Sequence, residues 1–282
     1  RAVFLELFSD HENYITKDDR IRTLMFRLLR ENDWVDLGDL EDEMYVSRTT
    51  LESDLKTIKK RFSARHPYLQ MQRNGNYIRL DDNEIKRRDL LIRLYAENWD
   101  YDSRDGIILR QDEFGRDILE EIRAVVKKGV RAYTLQLDDF SLIYLTLSIA
   151  VLYFRTREGN SIGDTGNTRP DTDIHNAVFE ILDELQKKWD ISFSHEEYFW
   201  LSDILRQIQI LNNHSYNKNE ILECTDVICH QIVNQVLKDV ENDYGMDFTS
   251  DDKLFVDMTI HVQALISGIV ATQIQSHMLG DE

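Results

Sequence analysis

Leu37-Gly-Asp-Leu-Glu-Asp-Glu-Met-Tyr-Val-Ser-Arg-Thr-Thr-Leu-Glu-Ser-Asp-Leu55, continued by Lys56-Thr-Ile-Lys-Lys-Arg-Phe62, is the stretch from which the fold is read. Ser47 stands where a helix N-cap is wanted, since its hydroxyl can accept from the free amides of the first turn. Leu51, Leu55, Ile58 and Phe62 then recur at three- and four-residue spacing, which predicts one apolar stripe on a helix. The remaining face carries Arg48, Thr49, Thr50, Ser53, Lys56, Lys59 and Lys60. A helix of this kind buries one side and offers donors to phosphates and base edges on the other.

The next residues predict a hairpin. Tyr68-Leu-Gln-Met-Gln-Arg73 alternates apolar and polar residues, Asn74-Gly75 reads as a two-residue turn, and Asn76-Tyr-Ile-Arg-Leu80 alternates again. Upstream, Thr16-Lys-Asp-Asp19 predicts a cap for a helix running through Ile21, Leu24, Met25, Leu28 and Leu29. Helix, helix-turn-helix, hairpin is the order of a winged helix, predicted here over residues 1–82 as a DNA-binding domain. Arg48, Thr49, Thr50 and Ser53 are expected near base edges, and Lys56, Lys59, Lys60 and Arg73 on phosphates. Asn74 and Asn76 at the hairpin tip complete the set. The competing reading is a small helical hairpin without a ligand; the basic face and the hairpin occurring together favour the binder.

Charge is distributed to match. The 282 residues carry a formal net charge of −18, which taken globally argues against a nucleic-acid partner. Residues 1–95, however, hold 18 acidic and 18 basic side chains, so the whole deficit lies in residues 96–282. From Tyr45 to Arg73 there are seven basic residues against two acidic ones. An acidic body beside a neutral module repels DNA and confines contacts to one surface.

Several classes are disfavoured. Cys224 and Cys229 are the only cysteines, so neither a four-cysteine zinc site nor a disulfide framework is expected. No Walker-type phosphate loop and no His-Glu-x-x-His motif occurs, so no enzyme, cofactor or metal is expected. His195-Glu196 reads as helix-start polarity. No apolar window is long enough for a membrane span, and no signal peptide is visible, so a cytoplasmic location is expected. The first residue is not methionine, which suggests a piece of a longer protein.

Beyond the hairpin the pattern is helical. Ile85 to Tyr95 is predicted as a linker helix with Lys86, Arg87, Arg88 and Arg93 on its polar side, and Phe114 to Val126 as another helix. Asp138-Asp-Phe-Ser-Leu-Ile-Tyr-Leu-Thr-Leu-Ser148 then aligns with Asp251-Asp-Lys-Leu-Phe-Val-Asp-Met-Thr-Ile-His261 at a constant offset of 113. The apolar register is kept throughout, which predicts two copies of one helical domain. Residues 159–172 read as a long polar loop, with helices after it near 174–189 and 196–211. The polar run 212–219 should mark a boundary. The expected fold class is thus mainly α: a winged helix-turn-helix over 1–82, a linker helix and first helical domain over 83–212, and an incomplete second copy over 213–282.

Taken together, these residues resemble bacterial regulators that carry phosphotransferase-system (PTS) regulation domains, the family of the mannitol- and lichenan-operon activators and related antiterminators. Tyr45-Val-Ser-Arg-Thr-Thr-Leu-Glu-Ser-Asp-Leu55 looks like the family's helix-turn-helix, and Arg73-Asn-Gly-Asn-Tyr-Ile-Arg-Leu80 like its wing. Leu145-Thr-Leu-Ser-Ile-Ala with Arg155, and Met258-Thr-Ile-His-Val, look like the first long helix of successive regulation domains. The resemblance implies a transcriptional regulator of a carbohydrate uptake or utilisation operon that binds double-stranded DNA, as a homodimer. It also implies phosphorylation of regulatory histidines by the phosphocarrier protein HPr or a sugar-specific enzyme IIB.

His261 matches such a histidine. Ser148 stands where the first copy would carry one, no histidine lies at Asp203 or Ile204, and Gly268 replaces the arginine that usually follows. Control is therefore expected through the second copy, with the first as a structural or dimerising domain. Arg155 and Arg157 are the candidate receivers of the phosphate. Two alternatives stay open. One is RNA-binding antitermination, which uses a small β-rich domain in place of the winged helix. The other is a protein-interaction or dimerisation module that does not sense.

Overall fold

Thr16 starts the first helix by a reciprocal cap: its hydroxyl accepts from the Asp19 amide at 3.2 Å, and the Asp19 carboxylate accepts from the Thr16 amide at 3.2 Å. The computed structural model describes residues 16–64, 69–96, 114–135, 137, 139–163, 173–212, 217–225 and 227–267. Expectations placed on Tyr68, Asp138, residues 164–172 and 213–216, Gly268 and the Cys224 side chain lie outside the described residues. The chain divides into two units, residues 1–82 and 83–282. The fold is mainly α with one small antiparallel sheet.

In the first unit the order is α1 (Lys17–Arg30), β1 (Val35–Asp36), α2 (Leu37–Met44), α3 (Arg48–Ala64), β2 (Met71–Asn74) and β3 (Tyr77–Leu80). Ile21, Leu24, Met25, Leu28 and Leu29 of α1 are buried, the face that the spacing predicts. Asp36 caps α2 by accepting from the Gly38 amide at 2.6 Å, and Tyr45 ends it in the left-handed region at φ 54°. Ser47 then caps α3 as expected, accepting from the Thr50 amide at 3.3 Å. Leu51, Leu55, Ile58 and Phe62 are buried against α1 and α2. Each such side chain contributes about 1.5–3 kcal/mol on leaving water.

The sheet runs β1-β3-β2, all antiparallel, with Ile78 and Leu80 of the middle strand facing the core. The hairpin turn is displaced by one residue from the sequence expectation. Asn74 pairs with Tyr77, so Gly75 and Asn76 are the central residues instead of Asn74 and Gly75. Gly75 takes φ 58°, while Asn76 is not among the residues with positive φ. A positive φ at the first central position alone is the type II′ pattern, which demands glycine there.

The second unit is helical among the described residues: α4 (Glu84–Ala96), α5 (Arg116–Ala132), α6 (Asp139–Arg157), α7 (Asp173–Trp189), α8 (His195–Asn212), α9 (Lys218–Cys224), α10 (Val227–Tyr244) and α11 (Asp252–Ser267). Helix α5 runs six residues past the predicted Val126. Helix α6 is apolar on all sides and central; Leu145, Leu147, Ile149, Ala150, Val151 and Leu152 are all buried beneath α4, α5 and α8. Its hydroxyls are absorbed locally: Thr146 donates to the Leu142 carbonyl at 2.6 Å and Ser148 to that of Tyr144 at 2.8 Å. Helices α5 and α7 approach closely at Gly129, where a Cβ would collide with Ile181 Cγ1.

Helix α4 differs from the expectation in the setting of its arginines. Arg87 and Arg88 are buried, not on a solvated polar side, because α4 packs along α6 as part of the body. Helices α6 and α11 begin at Asp139 and Asp252, at the offset read from the sequence. Around α11, Val233, Leu237 and Phe255 form a small buried cluster with α10.

Candidate nucleic-acid interface and phosphorylation site

Helix α3 separates its two faces sharply. Opposite the buried stripe, Thr49, Ser53, Lys56, Lys59 and Lys60 are all exposed. Thr49, Ser53, Lys56 and Lys60 follow at helical spacing along the outside of α3, and Lys59 lies beside them. Ser53 stays open to solvent while its carbonyl accepts from the Thr57 hydroxyl at 3.1 Å.

Most of the other sequence-predicted residues are engaged within the unit. Arg48 forms an ion pair with Glu41 of α2, Nε to Oε1 at 2.5 Å. The Thr50 hydroxyl lies 3.1 Å from that of Ser47 and belongs to the cap. Arg73 of β2 reaches across to α3 and donates through Nη1 and Nη2 to both carboxylate oxygens of Glu52, at 2.9 and 2.7 Å, and through Nε to the Gly75 carbonyl at 3.2 Å. Asn74 is exposed at the end of β2. Asn76 donates its side-chain amide to Asp36 at 2.7 Å, tying the hairpin tip to the start of α2. So the fold gathers all ten residues around α3 and the hairpin, five in an open row and several held by neighbouring acids.

Sequence reasoning missed those acids. Glu52 lies on the same face as Thr49, Ser53 and Lys56, and the Arg73 guanidinium holds its carboxyl below the usual range. A glutamate within a basic face gives no signal in the sequence; only the hairpin brings an arginine to it. Asp54 was missed too. It is buried among the apolar residues of α3 and accepts from Arg20 Nε of α1 at 2.6 Å.

In the second unit His261 is exposed on α11, whereas Ser148, its counterpart by the offset, is buried on α6. Thr146 and Thr259, which also correspond, are both buried. Arg155 is not available as a phosphate receiver. It is 2 % exposed and donates through Nε and Nη2 to both oxygens of Glu84, at 2.9 and 2.7 Å. Arg157 instead donates to the Tyr153 hydroxyl at 3.1 Å.

The Glu84–Arg155 pair belongs to a buried network. Arg88 donates from Nε to Glu84 at 2.9 Å, and from Nη2 to Glu197 at 2.7 Å and to the Asn160 carbonyl at 2.6 Å. Glu197 also accepts from the Thr156 hydroxyl and from the Ser194 amide, the latter closing a capping box at the start of α8. His195 opens that helix, so its polarity has the structural origin expected. One turn along α4, Asp89 accepts from the Trp200 indole at 3.3 Å, and its crowded setting pushes its carboxyl up to about 6, chiefly by desolvation.

Among the described residues no group of three or more His, Cys, Asp and Glu is placed to hold a metal, and no helix is long and apolar enough to cross a membrane. No protein-family model matches the chain. Over 261 residues it is 23% identical to a protein of Bacillus subtilis (strain 168) described as "Probable licABCH operon regulator", covering 90% of this chain and 39% of that one. The chain thus spans about two fifths of that relative's length. Along most of its own length, then, it is similar to a protein described as an operon regulator.

Proposed function

We propose that this chain is part of a transcriptional regulator of a carbohydrate uptake or utilisation operon. Residues 1–82 are read as a winged helix-turn-helix that binds double-stranded DNA. Residues 83–212 and 213–282 are read as a first and a partial second regulation domain answering to the phosphotransferase system. The observation that carries the reading is the exposed row Thr49, Ser53, Lys56, Lys59 and Lys60 on a helix whose other face is buried, with a β-hairpin directly after it. Such a helix fits the major groove, and the hairpin fits the place of a wing. The relative's description supports the operon. The reading makes the protein a non-enzyme of the cytoplasm that acts as a homodimer on two half-sites.

The regulatory reading rests on His261. Its imidazole is exposed on α11 at the position that the resemblance assigns to a phosphorylated histidine, as phosphorylation by HPr or an enzyme IIB would require. Phosphate there adds up to about two negative charges to an acidic unit.

The test is direct. Full chain is titrated against labelled duplex DNA carrying the upstream region of the neighbouring operon and against a structured RNA of the same sequence. Tighter binding to the duplex, weakened by salt, supports the reading. Preference for the RNA replaces it with antitermination, and binding to neither leaves a protein-interaction module.

A further inference from the structure

Glu52 sits in the middle of the face that the proposed function turns toward DNA. Thr49 and Lys56 flank it at three- and four-residue spacing, and a carboxylate there meets a field of phosphates. A bare acid at that place opposes binding. In this protein it is not bare: Arg73 covers both its oxygens with a two-pronged bond, and also donates to the Gly75 carbonyl inside the hairpin turn. This fork-on-fork geometry fixes direction as well as distance. Arg73 therefore touches three things at once: the recognition face of α3, the strand β2 and the turn.

Strand β3 is anchored by the buried Ile78 and Leu80, whereas β2 is lightly held. Strand β2 lies at an edge of the sheet, and only Met71 among its four residues is even half-buried. Asn76 ties the turn to the beginning of α2, on the other side of the hairpin. Arg73 adds a side-chain connection from β2 to α3 itself.

We propose that Arg73 is a positioning residue that neutralises Glu52 on the DNA-facing side of α3 and holds the hairpin at a fixed angle to that helix, the pair staying closed on the duplex. This rests on the DNA-binding reading and departs from the sequence expectation that Arg73 meets a phosphate. A closed pair adds no net charge to the interface, whereas an arginine on phosphate releases a counterion.

Three variants of the full chain decide it: Arg73→Gln, Glu52→Gln and the double variant. Each is titrated with a labelled mixed-sequence duplex over a range of salt, and hairpin amide exchange is measured on the free protein. Removing the neutral pair in the double variant is expected to weaken binding by roughly threefold, with an unchanged log–log salt slope. Arg73→Gln alone is expected to bind more weakly than the double variant, because it leaves the carboxylate uncovered. The amides of residues 75–79 are expected to exchange faster in all three.

A slope reduced by about 0.9 in the double variant overturns the proposal and returns Arg73 to the phosphates. So does a Glu52→Gln change that fails to relieve Arg73→Gln, or hairpin amides unmoved in every variant. Failure of the unaltered chain to bind any duplex is a distinct result: it removes the DNA-binding reading, and this proposal with it.

Discussion

Glu84 holds Arg155 by both carboxylate oxygens, joining the first turn of α4 to the last turn of α6 in the interior of the helical unit. The same Glu84 oxygen that takes Arg155 Nε also takes Arg88 Nε, and Arg88 goes on to Glu197 of α8. Three helices are thereby keyed by two acids and two guanidiniums, with each charge answered by its opposite.

Glu197→Ala is expected to destabilise the helical unit by about 3 kcal/mol, because it strips a buried guanidinium of one acid and the Ser194 amide of its acceptor. Glu197→Gln, which keeps acceptor oxygen at the same place, is expected to cost less. Urea unfolding followed by helical circular dichroism reads both; equal stability of Glu197→Ala and the unaltered chain refutes the assignment.

Asp89 makes stability fall with rising pH. Its carboxyl is raised from 3.8 to about 6 in the folded protein, so between those values the folded state holds more protons than the unfolded one. The penalty is absent below about pH 4, grows as pH rises to about 6 and is complete above it. Because part of the residue reaches solvent, we expect Asp89→Asn to raise stability at pH 7 by only about 1 kcal/mol, with no gain at pH 4. Thermal melts of both proteins at the two pH values check the sign.

Lys59 and Lys60 are open on the outer row of α3. Replacing both by Ala is expected to weaken duplex binding irrespective of sequence and to flatten the log–log salt dependence by roughly 0.9 for each phosphate that is no longer neutralised. A slope that stays where it was removes the two lysines from the interface.

For His261, incubation of the complete protein with phosphoenolpyruvate, enzyme I and HPr, with and without an enzyme IIB, is expected to place phosphate on the imidazole. His261→Ala should lose the label. Ser148→Ala should keep it, since the Ser148 hydroxyl is buried and already donates to the Tyr144 carbonyl. Phosphate recovered mainly from peptides outside 220–282 refutes the site.

What the sequence disclosed was whatever depends on periodicity and caps. Leu51, Leu55, Ile58 and Phe62 declare their stripe by spacing, and Thr16 and Ser47 declare helix starts by their hydroxyls. The repeat declared the starts of α6 and α11. What it withheld depends on partners distant in the chain. Arg88 reads as a solvated cation until Glu197, 109 residues away, is brought to it. Arg73 likewise reads as a free cation until the hairpin folds back over Glu52. The sequence puts the turn one residue early because both Asn74-Gly75 and Gly75-Asn76 are good turn pairs, and the choice is made by the pairing of Asn74 with Tyr77.

The bond from Arg20 to Asp54 has its own consequence. Greasy faces slide and roll over one another at little cost, and α3 meets α1 largely through such a face. A helix advances about 100° per residue, so a roll of one position would swing Thr49 and Ser53 away from the side they now present. The Asp54 carboxylate, buried in that contact, acts as a key in a slot: its bond to Arg20 favours one angular setting of α3 about its own axis. Aim, as distinct from grip, is thus written on the hidden side of the helix, in a residue that no ligand of the exposed row ever reaches.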